Sequence, residues 1–177
     1  MVSRRKLLPA AALLAALLVG GGGSAAGHAA PPRHLPPVPA ALAAPAGNAL
    51  SSVYHARGVQ VYQCTAGAWA FVEPAAGLTG FARGRSRAAV HFRGPSWQST
   101  EDGSLVEARA VASSPVAGSI PELLLQATRT RGGGDFGTVT YLQRLATSGG
   151  TAPAGTCTDG ATTGVPYRAV YAFYVPA

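Results

Sequence analysis

Residues 167–175 read Tyr-Arg-Ala-Val-Tyr-Ala-Phe-Tyr-Val, and the pattern in this stretch decides the fold. At a period of two, Tyr167, Ala169, Tyr171, Phe173 and Val175 share one face, and Val170, Ala172 and Tyr174 share the other. Both faces are largely apolar, which predicts a strand covered on both sides and placed centrally in its sheet. Residues 105–112 alternate in the same way. Val106, Ala108, Ala110 and Ala112 form a small apolar face, opposite Leu105, Glu107, Arg109 and Val111. One apolar and one mixed face predict a half-buried strand.

Shorter runs lie upstream and between these two. Residues 59–64 carry Val59, Val61, Tyr62 and Cys64, residues 68–72 carry Trp69, Phe71 and Val72, and Thr65-Ala66-Gly67 separates them, which reads as a hairpin. A short strand is expected at 89–92, after the Arg-rich turn at 83–87, and another at 137–144. Leu123-Leu124-Leu125 follows Pro121 and fits either a helix start or a buried strand; Thr128 and Thr130 favour the strand, which Gly132-Gly133-Gly134 would stop. Strands at this spacing, divided by turn residues and not alternating with helices, predict a mainly β chain. The expected fold is a single-domain antiparallel β-sandwich or barrel with long loops. No internal repeat is visible.

The N-terminal part reads differently. Arg4, Arg5 and Lys6 precede an apolar run from Leu7 to Val19, and small residues continue to Ala30. Residues 1–29 therefore read as an export signal, too short in its apolar part to serve as a membrane span. Ser3-Arg4-Arg5-Lys6-Leu7-Leu8 also resembles a twin-arginine signal, although paired arginines serve any export signal. Residues 30–45 are mostly Pro and Ala and read as an extended, solvated lead-in. The β-rich domain occupies residues 46–177. A secreted, extracellular protein is expected.

Of 177 residues, 47% are apolar and 12% charged, with 23 Gly and 14 Pro. Low charge with frequent turn residues favours a loop-rich β domain over a helical bundle. The formal net charge of +7 loses Arg4, Arg5 and Lys6 with the signal, leaving +4. Lys6 is the single lysine, and the bias to Arg, Ala and Gly reads as high-GC coding. No nucleic-acid partner is expected. Cys64 and Cys157 permit one disulfide in an oxidising compartment, with two reduced thiols as the alternative.

Several segments together carry a resemblance. They include Ala56-Arg57-Gly58-Val59-Gln60-Val61-Tyr62-Gln63-Cys64, His91-Phe92-Arg93-Gly94-Pro95-Ser96-Trp97, Asp102-Gly103-Ser104, and Val139-Thr140-Tyr141-Leu142-Gln143-Arg144. Gly149-Gly150-Thr151-Ala152-Pro153 and Val165-Pro166-Tyr167 complete the series. In order and spacing, from about Val38 to the C-terminus, the chain resembles a family of secreted bacterial and fungal proteins known as domain of unknown function 3455. The resemblance implies an extracellular single domain with no established activity. Some fungal members carry a dehydrogenase label, but this chain has no Gly-rich strand-to-helix phosphate loop and no parallel βαβ rhythm, so no cofactor is expected. Gln98 stands where the family often has an acidic residue.

The candidate functional residues are few. His91, Asp102 and Ser104 would suit a hydrolase as base, orienter and nucleophile, but no nucleophile elbow surrounds any serine, and Asp102-Gly103-Ser104 is a good turn sequence. His91 and Asp102 remain the catalytic candidates. His55 and His91 lack paired spacing, so no metal site is expected. Arg83, Arg85, Arg87 and Arg93 suit either anion binding or a solvated loop, and Asp135-Phe136-Gly137 copies a kinase tripeptide without the rest of the kinase set. Trp69, Trp97, Tyr141 and Tyr171 suit either a core or a sugar-stacking platform. Trp97, between Ser96 and Gln98 in an expected loop, is the one expected to be exposed. The ligand-binding candidates are thus Trp97, His91, Arg93 and Arg144. The first reading is a noncatalytic binding module for a polysaccharide or cell-envelope ligand; a small secreted hydrolase and a structural cell-surface protein are the alternatives. The sequence leaves the oligomeric state open.

Overall fold

The computed structural model describes residues 35–177. The export signal read at residues 1–29, and residues 30–34 of the lead-in, lie outside the described residues. Eight antiparallel strands follow in order: β1 (Asn48–Thr65), β2 (Ala68–Ala82), β3 (Arg85–Phe92), β4 (Ser96–Ser99), β5 (Leu105–Ser114), β6 (Glu122–Arg131), β7 (Tyr141–Gly149) and β8 (Thr162–Pro176). Each strand pairs with its sequence neighbours, and β1 pairs with β8, so the sheet closes into an up-and-down barrel. Of the two expected architectures, the barrel is the one formed. Closure leaves no edge strand among the described residues.

Two hairpins turn on two residues with positive φ, Ala66-Gly67 between β1 and β2 and Arg83-Gly84 between β2 and β3. Such turns match the twist of the flanking strands. Both strands run well past the segments expected at 59–64 and 68–72. Their added length is rich in Ala, Gly and Ser, which have weak strand preference, so pairing on both sides imposes the conformation. Gly80 shows why a small residue is needed: a Cβ there would lie 2.8 Å from the Tyr54 ring. Residues 123–130 do form a strand rather than a helix.

Tyr54, Leu78, Trp97, Val106, Leu125, Leu142, Tyr171 and Phe173 fill the barrel interior. The β2–β3, β4–β5 and β6–β7 connections lie at one end. There the β6–β7 connection, residues 132–140, tucks Phe136 against Phe173 and Tyr54, with ring centroids 4.6 and 5.6 Å apart. This plug displaces the strand expected at 137–144, which begins only at Tyr141.

A second apolar cluster lies outside the barrel. Leu42, in the 3-10 turn Ala40–Leu42, packs with Leu124 and Leu145, and Leu35 and Val38 border them. Composition alone reads this stretch as solvated, yet Leu42 is fully buried. Its apolar residues are sparse, yet Leu35, Val38 and Leu42 all pack in the outer cluster. Gln143 Nε2 donates to the Leu42 carbonyl at 2.6 Å, and Tyr174 donates its hydroxyl to Gln143 Oε1 at 2.9 Å. The triple leucine is thereby explained: Leu123 and Leu125 belong to the interior cluster and Leu124 to the outer one.

Cys64 and Cys157 form a disulfide across a sequence separation of 93. The loop before β8 is fastened further to the β1–β2 hairpin, because Cys157 N–H donates to Gly67 O at 3.2 Å and Gly67 N–H to Asp159 Oδ1 at 2.8 Å. No helix among the described residues is long and apolar enough to cross a membrane.

Candidate functional site

Away from the plug, the barrel interior holds a partly open cavity of about 340 Å³. Phe71, Val72 and Pro74 of β2, Ala110 of β5 and Leu123 and Leu125 of β6 supply apolar walls. Gly94 and Pro95, from the β3–β4 turn, flank it. Gln60, His91, Trp97, Arg144 and Tyr171 supply the rest. The alternation of β3, β4 and β8 aims His91, Trp97 and Tyr171 inward, and β3–β4 register sets His91 directly opposite Trp97. Their rings stack at 4.2 Å with an interplanar angle of 7°, and Tyr171 meets both at 5.4 Å, edge to face.

His91 Nδ1 lies 2.9 Å from the Ser96 carbonyl, which fixes the neutral ring with its proton on Nδ1. Burial lowers its pKa to about 4, against the Ser96 hydrogen bond, and the Arg144 charge lowers it further. Burial likewise raises the pKa of Tyr171, so its hydroxyl stays protonated. The Tyr171 hydroxyl lies near Arg144 and Tyr167 without hydrogen-bond geometry to either. Gln60 Nε2 and Trp97 Nε1 are also buried without a hydrogen-bond partner among the described residues. Each such group costs about 1–3 kcal/mol if it stays unpaired.

Arg144 is held at the cavity by the loop before β6. Its Nε and Nη2 donate to the Pro121 carbonyl at 3.1 and 2.9 Å. Among the described residues the ion pairs join Arg83 and Arg87 to Asp135, Arg93 to Glu73 and Arg129 to Glu107, and Arg144 has none.

The other sequence candidates lie elsewhere. Trp97 is not on an exposed loop: it sits in β4 and is 1% exposed. Four residues are too few to show a period, and Gly94-Pro95 before them reads as loop. The four aromatic candidates form no common strip, because Trp97 and Tyr171 face the lumen, Tyr141 borders the outer cluster and Trp69 is half-buried in the β1–β2 hairpin. Arg93 is exposed and pairs with Glu73 at 3.3 Å.

Asp102 lies in the β4–β5 turn at the plugged end, where its carboxylate accepts from Ser104 N–H at 2.9 Å and Asp135 N–H at 3.0 Å. Burial alone would raise its pKa, but hydrogen bonds from Ser104, Asp135 and Ser99 outweigh that and hold it at about 2. Gly134 passes so close to this carboxylate that a Cβ would collide with it. Ser104 Oγ accepts from Phe136 N–H at 3.0 Å. Asp102 and Ser104 thus fasten the plug, and no hydrogen bond joins either of them to His91. Arg83 and Arg87 close over the buried Asp135 at 3.5 and 3.0 Å, which engages half of the arginine run in the same plug. Among the described residues no group of three or more His, Cys, Asp or Glu side chains is arranged to hold a metal ion.

Tyr171 was legible as an aromatic candidate, whereas Gln60 and the apolar walls were not, because only barrel closure brings β1, β2, β5 and β6 around one space. No curated protein and no solved structure matches the chain. A family model described as "Protein of unknown function (DUF3455)" matches residues 45–175, a span from just before β1 to the penultimate residue of β8 that contains every wall of the cavity. The chain therefore belongs to the DUF3455 family of proteins of unknown function.

Proposed function

We propose that this domain is a noncatalytic, extracellular binding module that takes a small, largely apolar molecule into the open end of its barrel. The observation that carries the reading is the cavity itself. Eight strands enclose room for one small ligand, and about 340 Å³ is at the lower end of the range for small-molecule sites. Apolar walls and a stacked His91–Trp97 pair offer a flat aromatic group area to pack on. The buried donors of Gln60, Trp97 and Tyr171 would orient the ligand's polar atoms.

The lining favours binding over catalysis. Among the described residues it contains no Ser, Thr, Cys, Lys, Asp or Glu. The one imidazole has a pKa near 4, which makes it a weak base at neutral pH. A polysaccharide chain would need an open groove or strip, whereas the aromatic residues are divided between lumen and outer wall. The disulfide is compatible with an extracellular setting.

The test uses the neutral fluorophore N-phenyl-1-naphthylamine. Saturable one-to-one binding is expected, and Ala110→Phe, which fills the cavity from β5, should abolish it without lowering the melting temperature. Absence of binding, or binding unchanged in a folded Ala110→Phe variant, contradicts the reading.

A further inference from the structure

We infer that the ligand carries an anionic head group, a carboxylate or sulfonate on an apolar or aromatic body, and that Arg144 is the residue that receives it. The inference rests on the lumenal reading above and adds the ligand's charge. Among the described residues Arg144 is the one ionised side chain of the cavity lining, since His91 is neutral there. The guanidinium has five N–H donors in a fixed fork, and the Pro121 carbonyl engages only its Nε and Nη2. That anchor sets the plane of the fork and leaves Nη1 unengaged by protein groups among the described residues.

Two further features point to an anion. The seven acidic residues of the chain lie outside the cavity lining, and no carboxylate ion-pairs with Arg144 among the described residues. Its field also reaches into the lumen, where it acts on His91 and Tyr171. A cation beside apolar walls attracts an anion more strongly than the same cation in open water. The buried Trp97 Nε1 and Gln60 Nε2, which can only donate, likewise suit a head group rich in acceptors. A cationic or purely hydrocarbon ligand would leave all of these groups unanswered.

A pair of probes with one skeleton tests this. 8-Anilinonaphthalene-1-sulfonate is N-phenyl-1-naphthylamine with a sulfonate added, so comparing the two separates head from body. Arg144→Gln should weaken the sulfonate probe about 10-fold or more, the scale of one charge-assisted hydrogen bond, and change the neutral probe less than about 3-fold. Arg144→Lys keeps the charge but not the fork and should fall between wild type and Arg144→Gln for the sulfonate. If Arg144→Gln weakens both probes alike or neither, the anionic head is overturned while lumenal binding stands. If wild type binds neither probe, both inferences fall. Melting curves of each variant exclude misfolding, and should Arg144→Gln not fold, equal affinity of Arg144→Lys and wild type for the sulfonate overturns the inference.

Discussion

Protonating His91 should destabilise the barrel, and the size of the effect follows from the lumen. The imidazole is 3% exposed and stacked on Trp97, and burial lowers its pKa from 6.5 to about 4. Between those values the unfolded chain binds a proton that the folded chain refuses, so stability falls as pH drops from about 6.5 to about 4 and levels off below. At 1.36 kcal/mol per pH unit, the full effect is about 3 kcal/mol. Asp102 has a separate window: its pKa falls from 3.8 to about 2, so its contribution is present above 3.8 and lost as pH falls toward 2. Asp135 acts in the opposite sense, because burial raises its pKa despite Arg87 and Arg83, and its native-state preference for the proton favours folding at low pH. His91→Gln isolates the imidazole from both carboxylates. Urea unfolding of wild type and variant at intervals between pH 7 and 4 should show the wild type losing about 3 kcal/mol more than the variant. Parallel pH profiles, or a His91 ring titrating by NMR near 6.5 in the folded protein, would mean that burial does not depress the His91 pKa.

Four other changes test the packing. Trp97→Ala should cost about 3–5 kcal/mol by denaturant unfolding, because Trp97 is a core residue, whereas Arg93→Ala should stay within about 0.5 kcal/mol. Leu42→Ala should cost about 2–5 kcal/mol if the segment before β1 is part of the fold, and nothing measurable if it is only a tether. Replacing Cys64 and Cys157 together by Ala should cost about 4–5 kcal/mol from loop-closure entropy over a separation of 93, and should speed proteolysis between Gly149 and Pro166. Unchanged cutting there would mean that the bridge does not organise the loop.

Strand character was legible wherever the period-two pattern ran long enough in residues of decided polarity, as in β5 and β8. The apolar outer face of β8 was legible too, but not the N-terminal segment that packs on the neighbouring strands, because Leu35, Val38 and Leu42 are diluted among Pro and Ala. Of the two states that the sequence allows for Cys64 and Cys157, the disulfide is the one formed, and it ties the loop before β8 to the β1–β2 hairpin. Barrel versus sandwich was not legible, since it depends on whether the first and last strands meet as one sheet. The candidate site was legible only in part. His91, Trp97 and Arg144 were singled out, but as a surface, because a four-residue β4 following Gly94-Pro95 has no pattern to reveal that it carries Trp97 inside. Asp102 was visible as a turn residue. Its hold on the Asp135 backbone depends on a contact 33 residues away along the chain.

Whether the ligand lies inside the barrel is read from intermolecular NOEs between bound N-phenyl-1-naphthylamine and the isotope-labelled protein. Lumenal binding gives contacts from the probe to the rings of Trp97 and Tyr171 and to the methyl groups of Leu125, whose side chains line the cavity. Contacts confined to outer-wall residues such as Tyr141, or to Trp69 in the β1–β2 hairpin, with the Trp97 and Tyr171 resonances unmoved at saturation, would contradict it.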